Sequence, residues 1–193
     1  AGTIAGNGGG SSHNGVQLLA GGRITNVAGG TITAPLETAV YVGGGAGVVV
    51  NSGSIVSGAQ SGVQLNLGGN VANQAGGVIS GAAVGVVFAN GGTLTNAGTI
   101  VGNSGEAVAF EGSNASRLIL GPGFAFSGSV YVSPSASSTL ELAAGANTGT
   151  ISNFQSIFSN IDSIVFDPGA QWFVAGGTAG NVGAISGFAA GDT

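Results

Sequence analysis

The feature that most constrains this chain is a period of about 23 residues. Aligning Ile4, Ile32, Ile55, Ile79 and Ile100 gives steps of 28, 23, 24 and 21. A second apolar column follows at Val16, Val40, Val63, Val86 and Val108, with steps of 24, 23, 23 and 22. Two residues on lies a third, Leu18, Val42, Leu65, Phe88 and Phe110. A fourth column reads Ile24, Val48, Val71, Leu94 and Leu118. Repeats of this length mark stacked architectures, in which each unit buries its apolar face only against its neighbours.

Within one period the first, second and fourth columns begin short segments of alternating apolar and polar character, such as GVQL and GTLTN. Alternation over three to five residues describes a short strand with one buried face. Three strands and three turns per period describe one coil of a triangular parallel β-helix, with coils about 4.8 Å apart. The spacing therefore predicts an all-β, right-handed, three-faced parallel β-helix of roughly eight coils. Residues 1–120 form its regular part and residues 121–193 its less regular continuation. A sandwich would show hairpin turns and no constant three-strand phase. An α/β fold would need longer helices than this much glycine and β-branching allows.

The turns agree with this reading. Asn26, Asn51, Asn73 and Asn96 recur just after the fourth column. Asparagine tolerates left-handed backbone, and its amide can bond the Asn one coil above. Glycine pairs beginning at Gly21, Gly68 and Gly91 lie where the second strand must corner into the third. The period lengthens at NGGGSSHN (Asn7 to Asn14) and gains two residues around EGSNAS (Glu111 to Ser116). Such insertions become loops on one face and often carry recognition. Beyond Leu120 strand-like pieces continue as SVYV, TLEL, GTIS, DSIVF and AQWFVAG, with Pro122, Pro134 and Pro168 at expected turns.

The segment GTISNFQSIFSNIDSIVFDPGAQWFVAG, Gly149 to Gly176, resembles one found in bacterial autotransporter passenger domains. The upstream N-x-G-x-I-x-G repeats resemble the β-helical rungs of such passengers and of filamentous-haemagglutinin-like adhesins. The resemblance implies secretion across a bacterial outer membrane and an extracellular, cell-surface role. The family's translocating barrel and signal peptide are not in this sequence, which is the expectation for a fragment of a longer chain.

Composition removes several function classes. Only 5% of residues are charged, against roughly 25% in an ordinary domain. The net charge is −5, and Arg23 and Arg117 are the only Lys or Arg residues, so nucleic acid is not an expected partner. Cysteine is absent, which excludes disulfides and thiolate metal sites. No run of 18 or more apolar residues is present, so no membrane span is expected in this segment.

A glycoside hydrolase needs two carboxylates flanking one bond, and a lyase needs a basic residue beside carboxylate-held calcium. The acids are Glu37, Glu106, Glu111, Glu141, Asp162, Asp167 and Asp192, and no pair of them has a basic partner nearby in phase. Arg117 is expected to meet the Glu111 loop as a surface ion pair. His13, the lone imidazole, sits in SSHNG without an orienting carboxylate. The glycine clusters at Gly43 and Asn7 lack the helix and lysine of a phosphate loop. No catalytic, cofactor-binding or metal-binding residue is therefore assigned.

The function expected is structural and adhesive: a stiff stalk, or a fibre segment that self-associates into filaments. Copies of the same chain and surface glycans or proteins are the candidate partners. One alternative is a polysaccharide-active β-helix enzyme. The other is an ice-binding solenoid, suggested by the outward row Thr3, Thr31, Ser54, Val78 and Thr99 and its neighbour row Ala5, Thr33, Val56, Ser80 and Val101.

Overall fold

The computed structural model describes residues 2–6, 13–177, 182–190 and 192. It is a parallel β-solenoid whose strands climb three faces in turn, as the period predicts. The first face stacks Thr3–Ala5, Thr31–Ala34, Ser54–Ser57 and Val78–Gly81. The second stacks Val16–Leu18, Val40–Val42, Val63–Leu65 and Val84–Phe88. The third face stacks eight strands, Gly22–Asn26, Gly47–Asn51, Gly69–Asn73, Gly92–Asn96, Ser116–Leu120, Ser138–Leu142, Ser163–Phe166 and Ala184–Ser186. Every pairing between these strands is parallel. About seven turns result, slightly fewer than the roughly eight expected, because the end coils do not present all three strands among the described residues.

Register places like on like. Ile4 pairs Ile32, Ile32 pairs Ile55, Ile55 pairs Ile79 and Ile79 pairs Ile100. The second and third columns stack as expected, from Val16 and Leu18 up to Val108 and Phe110. Phe88 and Phe110 lie face to face, with ring centroids 4.8 Å apart and planes 10° from parallel. That distance is the strand spacing itself, so the backbone pairing holds the rings in van der Waals contact.

The fourth column needs one correction. Ile24 pairs Val49, not Val48, and Val49 pairs Val71. Val48 instead pairs Arg23 and Asn70 on the outer side. The corner GGGAG, Gly43 to Gly47, holds one residue more than the corners at Gly21–Gly22 and Gly68–Gly69, and this shifts the strand that follows. At those Gly-Gly corners both residues have positive φ, 73° and 132° at Gly21 and Gly22 and 72° and 131° at Gly68 and Gly69. A Cβ on Gly69 would stand 2.0 Å from the Gly47 carbonyl oxygen, so no other residue fits there.

The asparagines form the ladder that the turns suggested. The Asn26 Nδ2 donates to Asn51 Oδ1 at 2.8 Å, Asn51 Nδ2 to Asn73 Oδ1 at 2.9 Å, and Asn73 Nδ2 to Asn96 Oδ1 at 3.0 Å. All four are buried. Each donating amide also reaches a turn carbonyl and a first-face strand carbonyl, as Asn73 Nδ2 does with Gly77 O and Thr99 O. The ladder asparagines are not left-handed; that conformation falls to turn glycines such as Gly29 and Gly76. The ladder stops where Asn96 pairs Leu120, and Asn96 Nδ2 is buried with no partner. Above it the same column becomes apolar, as Leu120, Leu142 and Phe166.

Two features of the later coils depart from the regular pattern. Thr99–Phe110 runs as one strand of 12 residues across the corner between the first and second faces, with Gly102 inside it. Ala125–Val132 does the same above it, and register shifts beside Glu106 let the pair turn together. At Phe154–Ile157 a single helical turn takes the place of a strand, burying Phe154 between coils. The expected strands in SVYV, TLEL, GTIS, DSIVF and AQWFVAG are present, and Pro122, Pro134 and Pro168 sit in turns.

Substituting the ladder tests its contribution. Asn73→Ala removes a buried group that both accepts and donates, and it should cost about 1–3 kcal/mol in denaturant unfolding. Asn96→Ala should cost less, because its Nδ2 donates to nothing. Equal losses would show that the upward bond contributes nothing. Leu94→Ala, which opens a void in the third-face column, should cost about 2–5 kcal/mol in the same measurement.

Candidate functional site

Register also sets what each face shows to solvent. On the first face the expected rows are in place: Thr3, Thr31, Ser54, Val78 and Thr99 stack, as do Ala5, Thr33, Val56, Ser80 and Val101. They carry only hydroxyls and methyl groups. The second face presents Gln17, Tyr41 and Gln64 in one row. There Gln64 Nε2 donates to Asn66 Oδ1 at 2.9 Å, and Asn66 Nδ2 donates to the Tyr41 hydroxyl at 2.7 Å. Sequence reasoning passed over this polar patch, although VQL at both Val16 and Val63 marks its row.

Charge gathers on the third face of the later coils. Arg117 Nε donates to Glu141 Oε2 at 3.1 Å, and the Arg117 Nη2 makes a second bond to the same oxygen. Arg117 therefore pairs with Glu141, not with the Glu111 loop. It lies one residue into the strand Ser116–Leu120, and Glu141 lies on the strand directly above, two residues further along. Glu111 precedes the corner and is exposed. Asp167, just past the next strand, is half-buried. Burial pushes its carboxyl above the ordinary range, the Glu141 charge pushes the same way, and Arg117 opposes both.

A second cluster forms at the corner before Ser138–Leu142. The Ser138 N–H donates to Asp162 Oδ2 at 2.7 Å, and the Asp162 N–H donates to Ser138 Oγ at 2.8 Å. Ser138 Oγ lies 2.8 Å from the Asn160 carbonyl oxygen, to which it donates. Asn160 is the only non-glycine with positive φ among the described residues, at 57°, and its Nδ2 donates to Val132 O at 2.7 Å. A cleft of about 370 Å³ opens beside it, lined by Pro134, Ala136, Asn160, Ile161, Asp162 and the edge at Val182 and Gly183. Among the described residues Asp162 is the single acid of that lining, whereas hydrolysis of a glycosidic bond uses a second carboxyl roughly 5–10 Å away.

The last acid is structural in character. Asp192 is buried, its Oδ1 accepting from the Trp172 N–H and its Oδ2 from the Ala189 N–H, both at 3.0 Å. It satisfies an edge amide of the strand Trp172–Val174 where no further coil stands among the described residues. No periodicity signals this role, because the bond closes once and does not repeat. Among the described residues no three His, Asp or Glu side chains stand close enough to share a metal ion. His13 is half-buried at the base of its insertion, and Asn7–Ser12 of NGGGSSHN lie outside the described residues. EGSNAS forms an exposed excursion that ends on buried Ser116.

The raised carboxyl of Asp167 has a signed consequence. The folded chain holds that proton more tightly than the unfolded chain. Stability therefore falls as pH rises from the ordinary Asp value to the folded one, then levels off. Asp167→Asn should gain on the parent across that interval and match its pH slope below it, in urea unfolding at a series of pH values. Arg117→Gln removes the opposing charge and should move the Asp167 carboxyl still higher in an NMR titration. A downward move would sink the assignment.

No family model matches the chain, and neither a curated protein nor a solved structure does; what its surface can do follows from its own residues.

Proposed function

We propose that this chain is a stiff structural segment of an exported bacterial surface protein, acting as a stalk or adhesive fibre that associates with further copies of itself. The supporting observation is the unbroken in-register stack of eight strands on the third face, with outward rows that are almost entirely uncharged. A continuous hydrogen-bonded stack resists bending and stretching along its axis. The low charge leaves little long-range repulsion to keep like faces apart. Among the described residues no helix is long and apolar enough to cross a membrane. Surface location and the autotransporter-like export route belong to this proposal, resting on the resemblance of Gly149 to Gly176.

A second reading draws on the first face. Its two stacked rows of Thr, Ser, Val and Ala form a regular lattice of hydroxyls and methyls, a surface suited to ordering water against ice.

Sedimentation and electron microscopy of the purified chain separate these readings. Self-association that persists at high salt, with filaments showing a repeat near 4.8 Å, is the expected result. Monodisperse chains at all concentrations would remove the fibre form. Thermal hysteresis that is lost on Thr31→Lys with Thr99→Lys would favour the ice-facing reading.

A further inference from the structure

The insertion EGSNAS, which the stalk reading leaves unused, contains Asn114-Ala115-Ser116, the only Asn-x-Ser/Thr tripeptide in the sequence. Such a tripeptide is the acceptor motif for N-linked sugars, but it is short and recurs by chance. Three structural facts single this one out. The insertion stands outside the coil, with every residue from Glu111 to Ala115 exposed. Asn114 Nδ2 is held at the surface by Asn90 Oδ1 at 2.9 Å, and so is presented and not packed. The third fact concerns Ser116. Its hydroxyl is buried without a hydrogen-bond partner.

Ser116 occupies the corner position that glycine holds in the four preceding coils, as Gly22, Gly47, Gly69 and Gly92. The corner therefore does not call for a hydroxyl, and burying one unpaired opposes folding. Ser138, one coil above, differs: its hydroxyl bonds Asn160 and Asp162. The folded structure thus contains a hydroxyl that its own packing does not use, two residues after a presented asparagine.

We propose that Asn114 is an acceptor for N-linked glycosylation, and that the sugar is transferred before the fifth coil closes. A transferase that reads the motif must reach the Ser116 hydroxyl, which the folded coil covers. In the transfer, Asn114 Nδ2 attacks the anomeric carbon of a diphosphate-activated sugar. The new C–N bond replaces the sugar–oxygen bond, the diphosphate carrier leaves, and one amide proton passes to the enzyme's base. No oxidation or reduction occurs. The product amide keeps one N–H, enough to retain the bond to Asn90 Oδ1, so the modified chain can still fold. The sugar then projects from the exposed loop, beside the corner and clear of the columns.

The test uses the 193-residue chain, a motif-dependent N-glycosyltransferase, its diphosphate-activated sugar and a control acceptor peptide. Intact mass should rise by one sugar when the chain is presented unfolded, and hardly at all when it is folded first. Cleavage after Arg23 and Arg117 should place the increment on residues 24–117. Asn114→Gln and Ser116→Ala should each abolish it. Ser116→Ala should also leave thermal stability equal or higher, whereas a structural hydroxyl would lower it on removal. An unmodified chain beside a modified control peptide overturns the proposal, as does an increment that survives Asn114→Gln. Equal modification of the folded chain overturns the timing. Sugar transfer and filament formation are read separately, so failure of one leaves the other standing.

Discussion

The structure depends on one constraint: each coil pairs its backbone with the next in a parallel ladder about 4.8 Å above it. That ladder leaves a side chain no choice of neighbours along the axis. What lies above Ile55 is Ile79, and what lies below is Ile32. A buried column is therefore stable only if its residue type packs or bonds against itself. Branched aliphatics do, and so do stacked rings such as Phe88 and Phe110. Asparagine does because its amide is at once donor and acceptor, which is how four amides can be buried in the ladder from Asn26 to Asn96. The end of that ladder shows the cost of the rule: Asn96 meets Leu120, and its Nδ2 has nowhere to donate.

The same constraint accounts for the near absence of charge. An outward charge in a solenoid stands one strand spacing from its counterparts above and below, and like charges at that distance repel. A repeated Lys or Glu column would load every coil, whereas repeated Thr, Ser, Gly and Val columns add nothing unfavourable. Where charges do gather, Arg117 bonds the Glu141 above it, and Asp167 adds a second acid beyond that pair. The position of Asp167 is the least comfortable of the three, with Glu141 beside it and solvent partly withdrawn. The surface that results suits contact with other uncharged surfaces and with copies of itself.

The sequence of residues 1–120 made most of this architecture legible. The Ile, Val and Leu/Phe columns recur at the coil spacing, and three of the four were readable residue by residue. The fourth was misplaced by one position at Val48, because the corner GGGAG carries one residue more than its counterparts. The pattern within a strand does not reveal how many residues a corner holds. The EGSNAS and NGGGSSHN interruptions were equally visible, since an insertion breaks a period that would otherwise continue.

By itself, then, the sequence determined the three-faced parallel stack, the buried columns, the Asn ladder and the glycine corners. Each is a short-range pattern repeated at one period, and repetition is a property of sequence. Only the tertiary structure decided the contacts made once. Arg117 took Glu141 over the Glu111 loop, because the adjoining strand brings Glu141 within reach. Asp162 became the partner of Ser138, and Asp192 clasped the Trp172 amide. The hydroxyl of Ser116 was left alone in the interior. Arg117–Glu141 and Ser138–Asp162 each span 24 residues, so the period stacks the partners one coil apart. Which of the stacked side chains close a bond depends on where a particular corner or edge falls in space.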